Sequence, residues 1–127
     1  MRLSPGEKVG VTEPMIRQVV HAFYGKVRSD PVLGPIFNGA IDDWDAHLAH
    51  LCDFWSAVLL GSGRFRGAPM EAHVRVAERS PMPFGRWLAL FSQTAREHCP
   101  PDAAALFEVR AQAVARSLHL GIEAARG

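Results

Sequence analysis

Apolar residues recur three or four apart in four long stretches of this chain, and glycine or proline marks the boundaries between them. That spacing lines one face of an α-helix, whereas a half-buried strand needs strict alternation. No segment alternates convincingly at period two. The pattern therefore restricts the chain to helices packed on helices.

Thr12 is placed to cap the first helix, with Glu13 and Pro14 in its first turn. Ile16, Val20, Phe23 and Val27 share one face, with Tyr24 at its edge, and Ser29-Asp30-Pro31 ends the helix. Val32 to Gly39 is interrupted by Gly34 and Pro35 and is expected as a tight connection carrying Ile36 and Phe37. Asp42 or Asp43 can cap the next helix, with its stripe of Trp44, Leu48, Leu51, Trp55 and Val58. His47 falls in the same apolar arc, His50 lies near its boundary and Asp53 opposite. Gly61-Ser62-Gly63 stops this helix, and Pro69 can open a short one carrying His73. After Ser80-Pro81-Met82-Pro83, the residues Phe84, Trp87, Leu88, Phe91, Thr94 and Ala95 align on a helix that ends near His98. Asp102 can cap the last helix, with its stripe of Phe107, Ala111, Val114, Leu118 and Ile122.

The 127 residues suit one domain, residues 1–127, with 1–10 expected as a flexible N-terminus. The content of 48% hydrophobic and 21% charged residues is that of a globular chain rather than a disordered one. A net charge of +1, with dispersed arginines, leaves no clustered basic surface for a phosphate backbone, so no nucleic acid partner is expected. The N-terminus has no signal-peptide core, and no window approaches the roughly 20 apolar residues of a membrane span. A cytoplasmic protein without membrane contact is expected. Cys52 and Cys99 stand apart without a CxxC, so neither a disulfide framework nor a CxxCH haem-attachment site is indicated.

Gly61-Ser62-Gly63-Arg64-Phe65-Arg66-Gly67 looks like a phosphate loop only in composition, because a helix rather than a strand precedes it. His47, His50 and Cys52 lack the spacing of a tetrahedral zinc set. More informative is the company of His73. Tyr24, His47 and Trp87 come from three separate helices, each in or beside an apolar stripe. Buried phenol and indole groups need partners, and several in one small core are costly unless they meet each other or a ligand. One imidazole on a short element facing such groups is the inventory of a haem pocket. The plainer alternative stays open at this point: the three tryptophans could be ordinary core, and His73 an ordinary surface or core histidine.

Longer strings resolve the choice. Phe23-Tyr24-Gly25-Lys26-Val27-Arg28, then Asp30 and Leu33-Gly34-Pro35-Ile36-Phe37, resemble the early helix and bend of truncated haemoglobins. Trp44-Asp45-Ala46-His47 and Phe54-Trp55-Ser56-Ala57-Val58-Leu59-Leu60-Gly61 resemble their distal helix. Gly67-Ala68-Pro69-Met70-Glu71-Ala72-His73 resembles the proximal segment. Phe84-Gly85-Arg86-Trp87-Leu88-Ala89-Leu90-Phe91 and Arg110-Ala111-Gln112-Ala113-Val114-Ala115 resemble the last two helices. The resemblance runs from Val11 to Ile122 and is closest to the third group, which has a distal histidine.

It implies an all-α, two-over-two helical sandwich holding haem b non-covalently. By the same resemblance His73 is the proximal iron ligand, and Tyr24, His47 and Trp87 line the distal pocket. Phe37, Leu51, Phe65 and Trp87 contact the cofactor, with Phe65 standing where a tyrosine often occurs. The implied function is reversible binding of O2, CO, NO or similar diatomics at a five-coordinate, histidine-ligated iron, with no dedicated catalytic residue. Peroxidase-like or nitric-oxide-detoxifying chemistry with an external reductase is the alternative, and a non-haem helical sensor or interaction module is the second. Arg64, Arg66 and Arg75 are the candidates for holding the propionates, and His47 could serve as donor, gate or sixth ligand.

Overall fold

The computed structural model describes residues 3–65 and 83–126, the last eight of these as backbone only. His73 and its expected short helix lie outside the described residues, as do Arg66 and Arg75. The described residues are helical, without strands. They form α1 (Pro5–Lys8), α2 (Glu13–Ser29), α3 (Leu33–Ala40), α4 (Trp44–Leu60), α5 (Phe84–His98) and α6 (Pro101–Arg126).

The helix ends follow local chemistry. Thr12 caps α2 by accepting from the Met15 N–H at 3.3 Å, and Asp43 caps α4 by accepting from the Ala46 N–H at 3.1 Å. Gly61 closes α4 with φ of 63°, a left-handed conformation that glycine adopts without steric cost. Helix α6 begins one residue before its expected cap, so Asp102 lies in the first turn, where its charge favours the helix dipole.

Two short helices were not foreseen. Val32 to Gly39 is not a bare connection, because Leu33–Ala40 is helical. The Asp30 carboxylate supplies what the sequence of α3 lacks, accepting from the Val32 and Leu33 N–H groups at 3.0 and 2.8 Å. Pro35 sits early enough in α3 that its missing N–H interrupts no established ladder. At the N-terminus, Ser4 and Glu7 form a reciprocal capping box around α1. Gly6 packs so closely on α4 that a β-carbon there would lie 2.6 Å from the Leu59 carbonyl oxygen.

Helix α5 packs on α6 and α2, and α2 also packs on α3 and α4. The result is a sandwich of two helix pairs. Phe91 sits at its centre, stacked on Trp55 at 5.2 Å and on Trp87 at 5.7 Å, and meeting Phe23 edge-on at 5.0 Å. Phe107 of α6 closes the cluster against Trp55 and Phe91. Removing one such ring from water contributes about 1.5–3 kcal/mol, against about 0.5–1.5 kcal/mol for a favourable ring pair. Burial therefore holds the layers together, and ring geometry refines their register.

Candidate functional site

Phe23 and Tyr24 are consecutive on α2 and so point about 100° apart. Phe23 faces α5, where it meets Trp87 and Phe91. Tyr24 faces α3 and α4, with its ring centroid 6.1 Å from Phe37, 6.0 Å from Trp44 and 6.0 Å from His47. A residue at the edge of the α2 stripe is thus only 2% exposed, because a second layer covers that side. Burial pushes the Tyr24 phenol well above its ordinary range, with the nearby Trp87 indole a lesser, opposing influence. At neutral pH Tyr24 is an O–H donor.

His47 lies one turn after Trp44 on α4, and their rings meet edge to face at 5.7 Å. Leu51 lies one turn further along and is buried. The chain thus brings Tyr24, Phe37, Trp44 and His47 together, with Trp87 reaching the same region from α5 across Phe23. Phe65 makes its ring contacts elsewhere on α4, with His50 at 5.0 Å and Phe54 at 5.3 Å. It extends the lining one to two turns along that helix rather than joining the Tyr24 cluster.

The two tryptophans near Tyr24 differ in one respect. The Trp44 N–H donates to Asn38 Oδ1 at 3.2 Å, Asn38 Nδ2 donates to the Arg28 carbonyl at 3.1 Å, and the Arg28 guanidinium lies 4.8 Å from the Trp44 ring centroid. Trp44 is therefore held from the solvent side, with its donor engaged. The Trp87 N–H is buried, and its only acceptor among the described residues is the Tyr24 phenol, which it approaches without a well-formed hydrogen bond. A poorly paired buried donor costs roughly 1–3 kcal/mol, so a further acceptor at this position, from a ligand or from residues outside the described ones, would stabilise it.

Sequence reasoning treated Trp44 as core and overlooked Asn38 and Arg28 as its supports. The three-residue step from Trp44 to His47 was the available signal. Among the described residues no three His, Cys, Asp or Glu side chains converge as a metal-binding group, so His47, His50 and Cys52 form no zinc set. No described helix is long and apolar enough to cross a membrane.

This arrangement, helices in two crossed pairs with a buried polar-aromatic cluster between them, is that of a globin. Residues 6–110 match the family model for bacterial-like globins. The chain is 36% identical over 88 residues to a group 3 truncated haemoglobin of Campylobacter jejuni, covering 66% of this chain and 69% of the relative. It is also similar to the crystal structure of a group III truncated haemoglobin from Campylobacter jejuni, with a TM-score of 0.76 and 34% identity over 85% of this chain and 88% of that one. The chain belongs to the bacterial-like globins, and within them to the group III truncated haemoglobins. Haem binding follows as the property of the family.

Proposed function

We propose that this globin binds haem b non-covalently through His73 and holds O2, and related diatomics such as CO and NO, among Tyr24, His47 and Trp87. The observation that carries the reading is the pair of buried donors on α2 and α5: a Tyr24 phenol kept neutral by burial, and a Trp87 N–H with no acceptor but that phenol among the described residues. Two such groups in one core fit a small ligand that accepts hydrogen bonds. Phe37 and Leu51 fit the flat apolar walls a porphyrin needs, and Phe65 extends that wall along α4.

Haem would supply an iron with one coordination position open to a diatomic ligand. The chain's own part is to hold and orient. Neutral His73 would be the chain's ligand to the iron, with its second ring nitrogen donating to an acceptor that fixes the tautomer. Tyr24 O–H and Trp87 N–H would each give the bound ligand a charge-assisted hydrogen bond of about 1.5–3 kcal/mol. That corresponds to roughly 10–100-fold in affinity, felt mainly as slower release. His47, edge-on to Tyr24, fixes the phenol's orientation and lines the same side.

Slow release suits retention or chemistry better than delivery. Two donors in one pocket therefore favour, as the second reading, peroxidase-like or nitric-oxide-detoxifying turnover fed by an external reductase. Peroxide-dependent oxidation of an added donor dye separates that reading from simple binding.

Absorption spectra of the ferric, ferrous and CO-bound protein, with wild-type chain and His73→Ala, test the assignment. Stoichiometric haem with a Soret band is expected in the wild type, and loss of stable haem in the variant. Full haem retention with an unchanged spectrum in His73→Ala would remove His73 as ligand. A wild-type chain that shows no Soret band after haem supplementation would leave a non-haem helical module instead.

A further inference from the structure

Asp30 ends α2 and collects four donors on one carboxylate. The Val32 and Leu33 N–H groups donate to Oδ2 at 3.0 and 2.8 Å. Arg86 donates from Nε to Oδ2 at 2.8 Å and from Nη2 to Oδ1 at 2.7 Å. The last two form a fork, the planar bidentate geometry that fixes orientation as well as distance. Asp30 is largely enclosed, with its side chain 9% exposed, whereas the Arg86 side chain is 45% exposed.

Arg86 immediately precedes Trp87 in the first turn of α5. That turn has no cap of its own, because Pro83 occupies the N-cap position and makes no side-chain cap hydrogen bond. The other polar ties between α2 and α5 act at the far end of α5: Gln18 with His98 at 3.1 Å, and the Lys26–Glu97 ion pair. Among the described residues, the fork is thus the ion pair that joins the Trp87 end of α5 to α2, beside the weaker approach of the Trp87 indole to the Tyr24 phenol. Asp30 in turn lies six residues beyond Tyr24 on α2 and also caps α3, which carries Phe37.

We infer that the Asp30–Arg86 pair is a positioning device that sets where the Trp87 indole N–H stands relative to the Tyr24 phenol. One carboxylate would hold the corner that carries Phe37, the end of the helix that carries Tyr24 and the start of the helix that carries Trp87. A small rotation of α5 about its axis swings the indole nitrogen by a comparable arc, and hydrogen-bond strength falls steeply with misalignment. Arg86 is a positioning residue, since it reaches the pocket only through Trp87. The functional meaning of this position rests on the haem reading above.

The test uses the haem-loaded, CO-bound ferrous protein labelled with nitrogen-15, in which the three tryptophans give three indole N–H resonances. Trp87→Phe assigns the resonance of interest. Arg86→Gln removes the fork and its charge, and Arg86→Lys keeps the charge but not the fork. Both are expected to displace the Trp87 resonance in the same direction and leave that of Trp55 in place. Both are also expected to change the O2 dissociation rate several-fold. A pair that served only as a brace would lower the melting temperature and leave the Trp87 resonance where it was. An unmoved resonance in both variants overturns the inference, even if Trp87→Phe alters O2 release. A displaced resonance, with O2 release insensitive to Trp87→Phe, upholds the positioning role and instead removes Trp87 as a ligand donor.

Discussion

The rings of Tyr24 and His47 stand perpendicular, with centroids 6.0 Å apart, although they lie 23 positions apart in the chain. The edge-on contact fixes the tyrosine ring between α2 and α4, and Phe37 and Trp44 close its remaining sides. A phenol held this way cannot rotate toward water without opening the α2–α3–α4 corner. Its titration and its hydrogen bonding therefore report on whether that corner is intact.

Tyr24 is the only tyrosine in the chain, so tyrosinate absorbance belongs to one residue. Burial raises its folded-state pKa, and an unfolded tyrosine titrates near about 10. A raised acid of this kind contributes stability that is complete below the unfolded value and is lost as pH rises toward the folded one. The folded protein is expected to show no tyrosinate absorbance at about pH 10, the unperturbed value, and to release the proton only together with its helical circular dichroism. A tyrosinate step near the unperturbed value with helicity intact would place the phenol in water.

Removing either donor tests the pocket without emptying the core. Tyr24→Phe deletes one oxygen, and Trp87→Phe keeps an aromatic ring against Phe23 and Phe91. Each is expected to raise the O2 dissociation rate by roughly 10–100-fold in stopped-flow measurements, the equivalent of one lost charge-assisted hydrogen bond. Unchanged rates in both variants mean that the donors point elsewhere.

Gly34 and Gly25 make a contrasting pair. A β-carbon at Gly34 would meet the Arg28 carbonyl oxygen at 2.8 Å, whereas one at Gly25, in the body of α2, meets nothing within 4 Å. Gly34→Ala must push the α2–α3 corner apart and is expected to destabilise the protein by about 1–3 kcal/mol. Gly25→Ala is expected to stabilise it by about 0.5–1 kcal/mol, because glycine inside a helix carries the larger entropy loss. Urea unfolding of the two variants decides it: equal midpoints would mean that the corner yields freely.

The long helices were legible because their apolar stripes and their caps agree: Thr12, Asp43 and Gly61 each stand where the periodicity begins or stops. Helix α3 was not, since Gly34 and Pro35 argue against a helix locally and the deciding cap comes from Asp30 together with the packing of Leu33 and Phe37. Tyr24 read as a boundary residue on the α2 stripe; its burial depends on which helices cover α2 from two sides, and a single-helix projection carries no such information. Tyr24, His47 and Trp87 could be proposed as distal residues because the resemblance extends over whole helices. Trp44 with Asn38, and Asp30 with Arg86 across 56 positions, are tertiary pairs with no local pattern to announce them.

Asp30 makes the acid side of the stability curve testable. The Arg86 fork first, and the Leu33 N–H next, hold its carboxyl well below the ordinary carboxylate range. A depressed acid contributes stability that is present above its unfolded value of about 3.9 and is lost as pH falls through the folded value. Asp30→Asn keeps an oxygen for the α3 cap but loses the charge that Arg86 grips. The variant is expected to be less stable than wild type at neutral pH, and the gap should narrow as pH drops below about 4, where the unfolded wild-type carboxyl takes up its proton. Thermal melts from pH 7 to about 3 measure the gap across that window. A gap that stays constant would show that the carboxylate's charge contributes nothing to holding α2, α3 and α5 together.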